Sequence, residues 1–380
     1  MTILLVIIVI FSLVFVLIRA SLMIGLILEW KRDKNILKIY ETTKDEHVPL
    51  VSVLIPVHNE ALRITPLFES IAVQDYPNYE IIFIDDRSTD ESPQMLLTFA
   101  KQNSHTKIMT LTENPGINKK QYALTKGMEL VRGELVLFTD TDCKVPKRWI
   151  SAMAARMTDP NTGVMIAPVF KQYSKKNFFH LYQCFDHIVR YIYLASSIGL
   201  GAAGGGFGNN MIMRKKALDA IGGYDKVPPS PTEDAALVSM IRSVTSFQVR
   251  AACGEEVFVV TGDEKKRIDF ISQTLRWNNG GLFSPDILTR FNFNYLMLSI
   301  TFCVLAIPLM FFFPIVWPMV AAVYMVIGMD TISALTIFRK GIPKAGLAYV
   351  FQFLFTPIYF AFLTILGYLH IKPKWKGNKI

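Results

Sequence analysis

The sequence predicts an α/β fold with a mainly parallel sheet, together with one N-terminal and two to three C-terminal transmembrane helices. Apolar runs of strand length alternate with segments of helical periodicity between residues 50 and 139, as they do in parallel sheets. Long uncharged runs lie at both ends of the 380 residues, of which 51% are hydrophobic. The mean hydropathy of +0.33 is high for a cytosolic enzyme. We therefore expect a polar domain between membrane-spanning ends.

The N-terminal apolar segment predicts a membrane anchor at residues 1–30. Residues 3–18 and 20–28 are uncharged and flank Arg19, which is enough chain to cross about 30 Å of hydrocarbon. A signal peptide is disfavoured, because no cationic stretch precedes the run, the run is too long, and no small-residue cleavage pattern follows. Three cations come next, Lys31, Arg32 and Lys34. By the positive-inside rule they place the following domain on the cytoplasmic side of a cell (inner or plasma) membrane.

The C-terminal region contains two further uncharged runs. Tyr295–Met329 is too long for one crossing and is interrupted by prolines, so we expect two helices joined near Pro314. Ala345–Leu369 forms either a third crossing or a kinked or re-entrant segment at Pro357, which leaves the side of the C-terminus open. These runs divide the chain into the anchor, a cytoplasmic domain at 31–290, a transmembrane region at 291–371 and a basic tail at 372–380.

The cytoplasmic domain is expected to begin with alternating strands and helices. The predicted strands are Leu50–Val57, Glu80–Ile84, Lys107–Leu111 and Leu135–Thr139, and the predicted helices are Ala61–Val73, Ser92–Gln102 and Gln121–Val131. This order favours a largely parallel sheet. In such sheets ligands bind beyond the carboxyl ends of the strands.

Acidic residues follow two of these strands. Asp85 and Asp86 end the second strand, and Asp140 and Asp142 follow the fourth. Because alternate residues of a strand share a face, Asp140 and Asp142 project the same way. Two such carboxylates can share Mg²⁺ or Mn²⁺, whose remaining ligands are usually water and substrate phosphates. The sequence therefore predicts a divalent cation and a phosphate-bearing substrate at this edge of the sheet.

The charge and the cysteines exclude other classes of protein. The net charge is +9, but the lysines are dispersed and many flank membrane segments, so anionic lipid headgroups explain the charge and no nucleic-acid partner is expected. The four cysteines show no Cys-x-x-Cys pairing, so neither zinc nor a disulfide framework is indicated.

Six motifs in order resemble those of family 2 glycosyltransferases of the GT-A fold. They are Val53–Glu60, Asp85–Asp90, Lys120–Leu124, Asp140–Asp142, Thr232–Asp234 and Gln273–Trp277. The resemblance covers about residues 50 to 280, and the flanking helices are similar to those of membrane-bound members such as cellulose and hyaluronan synthases and lipid glycosyltransferases. It implies a GT-A nucleotide-sugar-binding domain and a hexosyltransferase activity.

The resemblance assigns a donor site and a metal site. The donor-binding residues would be Glu60, Asp85, Asp86, Lys120 and Asp140, and the metal ligands would be Asp140 and Asp142. Asp86, alone or with Asp85, would bind the uracil or ribose of a UDP-sugar. A helix cap is the alternative for this acidic strand end. Lys120 would add positive charge near the phosphates or would be a plain surface lysine.

The resemblance also assigns the acceptor side. Asp234, beside Glu233, would be the general base for the acceptor hydroxyl, so that direct attack inverts the anomeric centre. Gln273, Arg276 and Trp277 would share one face of a helix and, with Asn209, line the acceptor and diphosphate side. For the Arg-Trp pair before a membrane segment, an interfacial anchor is the alternative.

A glycine-rich stretch after an aromatic segment has two interpretations. Gly199-x-Gly201-x-x-Gly204 matches a dinucleotide fingerprint, but Phe178–Ile198 before it has helical spacing, so we expect a flexible loop instead. The aromatic helix would lie either on the bilayer or in the core.

The acceptor is the least determined part of the prediction. A lipid-linked acceptor is preferred, because few membrane helices are available for a polymer channel and because Trp375-Lys376-Gly377 resembles the ending of ceramide, hopanoid and carotenoid glycosyltransferases, with Asn378 in place of their Arg. A polysaccharide synthase is the alternative. A catalytically silent membrane scaffold is the alternative from another class.

Overall fold

The computed structural model describes residues 2–43, 48–202, 205–344, 348–375 and 378–379. The chain forms two compact units. The helical unit comprises Met1–Leu28, Tyr173–Gly204 and Asp263–Ile380, and the sheet unit comprises Glu29–Gln172 and Gly205–Gly262. Both units are therefore assembled from separate stretches of sequence.

The described residues contain the following elements in chain order. The helices are α1 (Thr2–Thr43), α2 (Thr65–Ile71), α3 (Ser92–Gln102), α4 (Lys119–Gly127), α5 (Trp149–Ala155), α6 (Phe178–Gly199), α7 (Lys215–Ala220), α8 (Glu233–Val244), α9 (Arg267–Leu282), α10 (Ile287–Leu309), α11 (Trp317–Ile337) and α12 (Ala348–Tyr368). The strands are β1 (Val51–Val57), β2 (Tyr79–Asp86), β3 (Thr106–Leu111), β4 (Leu135–Phe138), β5 (Cys143–Lys144), β6 (Thr162–Ile166), β7 (Val169–Lys171), β8 (Met211–Arg214), β9 (Gln248–Ala251), β10 (Val259–Thr261), β11 (Lys374–Trp375) and β12 (Asn378–Lys379).

The main sheet of the sheet unit has the order β3-β2-β1-β4-β8-β6-β9. Its first four strands are parallel, β8 is antiparallel to both of its neighbours, and β6 and β9 are parallel. The prediction of a mainly parallel sheet is thus confirmed. In the register, Leu54 pairs with both Ile82 and Phe138, so the acidic residues after β2 and β4 lie at the same edge.

The core of the sheet unit packs on both faces of β1. Val53, Leu54 and Ile55 are all fully buried, because helices cover each face of the parallel strands. On one face Phe68 stacks on Phe99 at 4.4 Å between ring centroids, and Phe83 meets Phe68 edge-on. This packing fixes the strand ends that carry the acidic residues.

Two predicted helices begin elsewhere than expected. Helix α2 begins at Thr65 rather than Ala61, because the carbonyl of Glu60 accepts turn hydrogen bonds from the next residues and Pro66 favours the first turn of a helix. Helix α4 begins at Lys119, two residues early, because the Asn118 side chain accepts from the backbone N–H of Gln121 at 3.1 Å. Loop chemistry, rather than apolar periodicity, sets these boundaries.

The helical unit contains the apolar helices. Within the described residues, four helical stretches are long and apolar enough to cross a membrane: Thr2–Tyr40, Ile287–Leu309, Pro314–Ile337 and Ala348–Tyr368. The two helices expected on either side of Pro314 are confirmed. Helix α12 continues through Pro357, so the chain does not turn back there.

Helix α6 is a core helix of the helical unit. Tyr182, Phe185 and Tyr191 are at most 2% exposed, and Tyr182 meets Tyr359 of α12 edge-on at 5.3 Å. Of the two interpretations of this aromatic segment, bilayer surface or core, packing supports the core. Because a helix precedes Gly199, the segment lacks the strand that a dinucleotide fingerprint requires. Gly204, Lys376 and Gly377 lie outside the described residues, so the expectations that rest on them are not described.

A buried ion pair accounts for the charged residues within the apolar helices. The Arg19 guanidinium donates to the Asp330 carboxylate, and the two residues are 1% and 5% exposed. Each charge alone would be costly among apolar helices, and pairing removes most of that cost. Asp330 is therefore explained by packing between α1 and α11.

Candidate active site

The acidic end of β2 is held by a short network. Asn114 Nδ2 donates to Asp86 Oδ2 at 2.8 Å, and Arg87 Nε donates to Asp86 Oδ1 at 2.7 Å. The backbone N–H of Ser88 donates to Asp85 Oδ1 at 3.2 Å. Arg87 adopts φ of +57°, a left-handed conformation that is rare for a non-glycine residue and is concentrated at functional sites. Asp86 is thereby oriented as an acceptor at the strand end.

Neither Asp85 nor Asp86 caps α3, whose N-cap residue, Glu91, makes no side-chain cap hydrogen bond. Asp90 Oδ1 accepts from the backbone N–H of Ser92 at 2.9 Å, at the start of α3, and Asp90 Oδ2 accepts from Ala61 N–H at 3.0 Å. Asp85 and Asp86 are therefore not needed for capping.

The loops after β1 and β2 are joined by side-chain contacts. Asn59, with φ of +55°, accepts from the backbone N–H of Thr89 at 2.8 Å. Glu60 is 4% exposed and its Oε1 lies 2.7 Å from Arg63. Glu60 thus lies at the same sheet edge as Asp85 and Asp86.

Asp140 and Asp142 follow β4 directly. The hydroxyl of Thr139 donates to the carbonyl of Asn209 at 3.1 Å, which ties the end of the strand to the glycine-containing loop before β8. Burial and the charge of Asp140 raise the pKa of the Asp142 carboxyl, and Lys171 and Arg63 partly offset them. The two carboxylates therefore act on each other electrostatically.

Lys120 connects the Asp140 carboxylate with the start of α8. Its Nζ lies 2.7 Å from Asp140 Oδ1 and 3.6 Å from Glu233 Oε1. Burial opposes its charge, but Asp140 and Glu233 raise its pKa above the ordinary value. Lys120 is therefore an integral part of the acidic cluster and not a plain surface lysine.

Asp234 lies in the first turn of α8, and two backbone N–H groups orient its side chain. Its Oδ2 accepts from the N–H of Gly208 at 2.7 Å, and its Oδ1 accepts from Ala235 N–H at 2.8 Å. A Cβ on Gly206 would lie 2.7 Å from the backbone of Asp234, and one on Gly208 would lie 3.0 Å from its Cβ. The absence of side chains at both glycines thus lets the loop approach this carboxylate closely. The hydroxyl of Thr232 faces Ser230 rather than capping the helix.

The two asparagines after Gly208 differ in role. Asn210 is fully buried, accepting from the indole of Trp149 at 2.9 Å and donating to the carbonyls of Pro168 and Val257. Asn209 contributes its carbonyl to Thr139, and its side chain is half-buried. Asn210 is therefore structural, and Asn209 lies beside the end of β4.

Gln273, Arg276 and Trp277 lie on α9 in the helical unit. Gln273 donates to Glu264 at 3.0 Å. The guanidinium of Arg190 lies 5.7 Å from the centroid of the Trp277 ring. Arg190 is in turn paired with Asp186 through two bonds, at 2.8 and 3.0 Å. Within this unit, the indole thus faces a charge-paired guanidinium.

Comparison with known families decides which family the chain belongs to. The model of glycosyl transferase family 21 matches residues 7–380. The chain belongs to this family. The expected resemblance to membrane-bound glycosyltransferases of the GT-A type is confirmed, and the number of the matching family is 21.

Relatives of this family 21 chain are similar over limited lengths. Beta-monoglucosyldiacylglycerol synthase of Nostoc is 26% identical over 189 residues, 49% of this chain and 40% of the relative. Poly(ribitol-phosphate) beta-N-acetylglucosaminyltransferase TarS of Staphylococcus aureus is 30% identical over 117 residues, 30% of this chain and 20% of the relative. The chain thus spans well under half the length of both proteins.

A solved structure is similar over almost the whole chain. Mannosyltransferase PcManGT from Pyrobaculum calidifontis, in complex with GDP-Man and Mn²⁺, has a TM-score of 0.54 and 18% identity, covering 96% of this chain and 100% of that one. At this identity the likeness shows the shared fold.

The sequence of the family 21 chain did not reveal several residues that build the site. Asn118 donates from Nδ2 to the carbonyl of Ser230 at 2.7 Å and to Glu233 Oε2 at 3.2 Å. Its position before a helix predicts a cap. Its contacts with Ser230 and Glu233, more than 100 positions away, cannot be predicted from the neighbouring sequence. Tyr224 is likewise buried near Glu233. Burial raises the pKa of the tyrosine most, and the charge of Glu233 raises it further.

The carboxylates fit a divalent cation that is shared with a substrate. Among the residues that the structure describes, no group of three or more His, Cys, Asp or Glu side chains is arranged as a metal site. Mg²⁺ and Mn²⁺ are commonly held by one or two carboxylates and complete their shell with phosphate oxygens and water. Burial, followed by the charge of Asp140, raises the pKa of the Asp142 carboxyl, so the two carboxylates lie close enough to interact, as a shared cation would require.

Proposed function

We propose that this family 21 chain is an inverting, metal-dependent glycosyltransferase that transfers a sugar from a UDP-sugar to a lipid-linked acceptor at a membrane. One observation carries the proposal: Lys120 bridges Asp140 and Glu233, so the Asp-x-Asp carboxylates and the Thr-Glu-Asp motif belong to one acidic cluster. Metal-assisted departure of the diphosphate and removal of the acceptor's proton could then occur side by side.

The donor would bind across the carboxyl edge of the sheet. Asp86, oriented by Asn114, can accept a hydrogen bond from the uracil N–H or from a ribose hydroxyl. A divalent cation held by Asp140 and Asp142 would neutralise the diphosphate leaving group. Glu60 lies at the same edge and is proposed to support the donor site through the loop after β1.

Asp234 is proposed to be the general base. Two backbone N–H groups hold its carboxylate, which fixes its direction before the acceptor arrives. It would take the proton of the acceptor hydroxyl as that oxygen attacks the anomeric carbon opposite the departing diphosphate. One displacement inverts the centre, so an α-linked donor gives a β-linked product.

The acceptor is proposed to be a lipid. The Nostoc relative is named for a glucosyldiacylglycerol, and in the described part of this chain four helical stretches are long and apolar enough to cross a membrane. We propose that residues 31–290 face the cytoplasm and that Gln273, Arg276 and Trp277, with Asn209, serve the acceptor and diphosphate. A polymeric acceptor is the second candidate, favoured by the S. aureus relative named for poly(ribitol-phosphate).

The test uses membranes that contain the full chain, labelled UDP-sugars and Mn²⁺. Organic-extractable label is separated from high-mass label for wild type, Asp234→Asn and the control Asp219→Asn, whose side chain is 56% exposed and pairs with Lys215. We expect lipid-soluble label in wild type and control and about a hundredfold less in Asp234→Asn.

Other outcomes separate the alternatives. High-mass label that depends on Asp234 would replace the lipid acceptor with a polymer. Background label only, unchanged among all three proteins with every donor, would leave a catalytically silent scaffold as the better description.

A further inference from the structure

We propose that Lys120 is an internal counter-ion that competes with the divalent cation for Asp140, so that the cation binds strongly only together with a nucleoside diphosphate. The proposal rests on the proposed function, because it concerns the same donor site. It goes beyond the donor assignment, because it makes Lys120 couple the binding of the divalent cation to the binding of the nucleoside diphosphate.

The competition follows from the position of the ammonium group. Lys120 Nζ lies 2.7 Å from Asp140 Oδ1, within hydrogen-bonding distance. A cation such as Mg²⁺ binds a carboxylate oxygen at about 2.0–2.1 Å. An ammonium and a divalent cation on the same carboxylate repel each other strongly, because their charges are separated by only a few ångströms. The cation alone must therefore displace Lys120 or bind weakly.

The backbone of Lys120 is held at the start of α4 by the contacts of Asn118. Asn118 caps α4 by accepting from Gln121 N–H and ties the helix start to the carbonyl of Ser230. The displacement must therefore come from side-chain torsions. The Lys120 side chain is 34% exposed, and a lysine has four flexible methylene groups, so this movement is sterically possible.

The displaced ammonium has acceptors within reach. Glu233 Oε1 lies 3.6 Å from Nζ, and an ammonium has three N–H donors. A diphosphate held at the Asp-x-Asp carboxylates would add anionic oxygens near the same group. When both ligands bind, the cation replaces the ammonium on Asp140 and the phosphate receives the ammonium, so each ligand favours the other. By thermodynamic linkage, the factor by which the diphosphate tightens the cation equals the factor by which the cation tightens the diphosphate.

The test measures Mn²⁺ binding to the detergent-solubilised full chain by electron paramagnetic resonance, with and without UDP, at matched free Mn²⁺. In wild type we expect UDP to tighten Mn²⁺ binding by about tenfold or more, within the usual range of coupling between ligands. In Lys120→Met, Mn²⁺ alone should bind about tenfold tighter than in wild type, and the effect of UDP should fall correspondingly.

Two further variants make the comparison specific. Lys120→Arg retains the positive charge of the side chain, so Mn²⁺ alone should still bind weakly. Lys126→Met removes one positive charge from the same helix, at an exposed pair with Glu129, and should behave as wild type. Tighter Mn²⁺ binding in Lys126→Met as well would mean that total charge, and not the contact with Asp140, controls the cation, and the proposal would be wrong.

The outcomes distinguish this inference from the proposed function. If Asp142→Asn abolishes the UDP-dependent Mn²⁺ binding but Lys120→Met binds Mn²⁺ alone no tighter than wild type, the donor site stands and the role of Lys120 is overturned. If wild type binds Mn²⁺ no better than Asp142→Asn, with UDP or GDP present, the metal site itself is overturned and the coupling with it.

Discussion

Glu80 is a buried carboxylate whose charge should stabilise the sheet unit measurably. It lies on β2, opposite Ser52 in the register, and its side chain is 3% exposed. Ser52 Oγ donates to it at 2.6 Å, Lys107 Nζ lies at 2.8 Å, and Arg132 donates from both its backbone and its guanidinium. Burial raises the pKa of Glu80, but these donors outweigh burial and lower it from 4.5 to about 2.

The perturbation is Glu80→Gln, which approximates the protonated carboxyl. A pKa lowered from 4.5 to about 2 corresponds to about 3 kcal/mol, at about 1.4 kcal/mol per pH unit. For a domain of 150–250 residues, this lowers Tm by about 6–12 °C. Because the folded-state pKa is lower than the unfolded one, the stabilisation is complete above pH 4.5 and is lost as the pH falls through about 2.

The assay is thermal unfolding in detergent at pH 7 and pH 3.5, followed by tryptophan fluorescence. The difference in stability between wild type and Glu80→Gln should be about 3 kcal/mol at pH 7 and smaller by about a third or more at pH 3.5. Glu129→Gln, at a side chain that is 58% exposed, is the control and should change stability by at most about 0.5 kcal/mol. A Glu80→Gln difference no larger than that of the control, or one independent of pH, would refute the reasoning.

Three further predictions concern stability and activity. Asp330→Leu leaves the charge of Arg19 buried and should cost about 3–5 kcal/mol of unfolding free energy, whereas the double variant Arg19→Leu/Asp330→Leu should recover most of it in the same thermal assay; equal losses would contradict the pair. Gly208→Ala crowds the proposed base and should lower kcat about tenfold or more at unchanged Tm, whereas Gly328→Ala, with its nearest contact at 3.6 Å, should have wild-type activity. Trp149→Phe leaves a buried amide oxygen without its indole donor and should cost about 1–3 kcal/mol, seen as a lower Tm.

The sheet and its acidic edge were predictable because their signals are local. Apolar strand-length runs locate β1, β2, β3 and β4 to within two residues, and the parallel order follows from their alternation with helices. Parallel strands bring their carboxyl ends together, so the amino-acid sequence alone places Asp86 and Asp140 at one edge.

The connections within the site were not predictable in the same way. Asn114 orients Asp86, and Asn118 contacts Glu233, through side chains that meet only after the sheet has formed. A single sequence contains no period or spacing that signals such pairs. The same holds for Arg19 and Asp330, each of which was visible as a charge in an apolar run, although the pairing between them was not.

The pair between Arg19 and Asp330 also constrains how the protein is made. The partners are 311 residues apart, so at about 5–20 residues per second the ribosome completes α11 roughly 15–60 s after Arg19. If α1 spans a membrane, as proposed above, it would enter the bilayer in that interval with an uncompensated guanidinium, at a cost of about 2.5–3.5 kcal/mol at a helix centre on insertion scales. An 18-residue window of the first helix has a mean hydropathy of 3.1, which is apolar enough to tolerate this cost. With that topology, the ion pair would form only in a late step of biogenesis, after α11 has been synthesised.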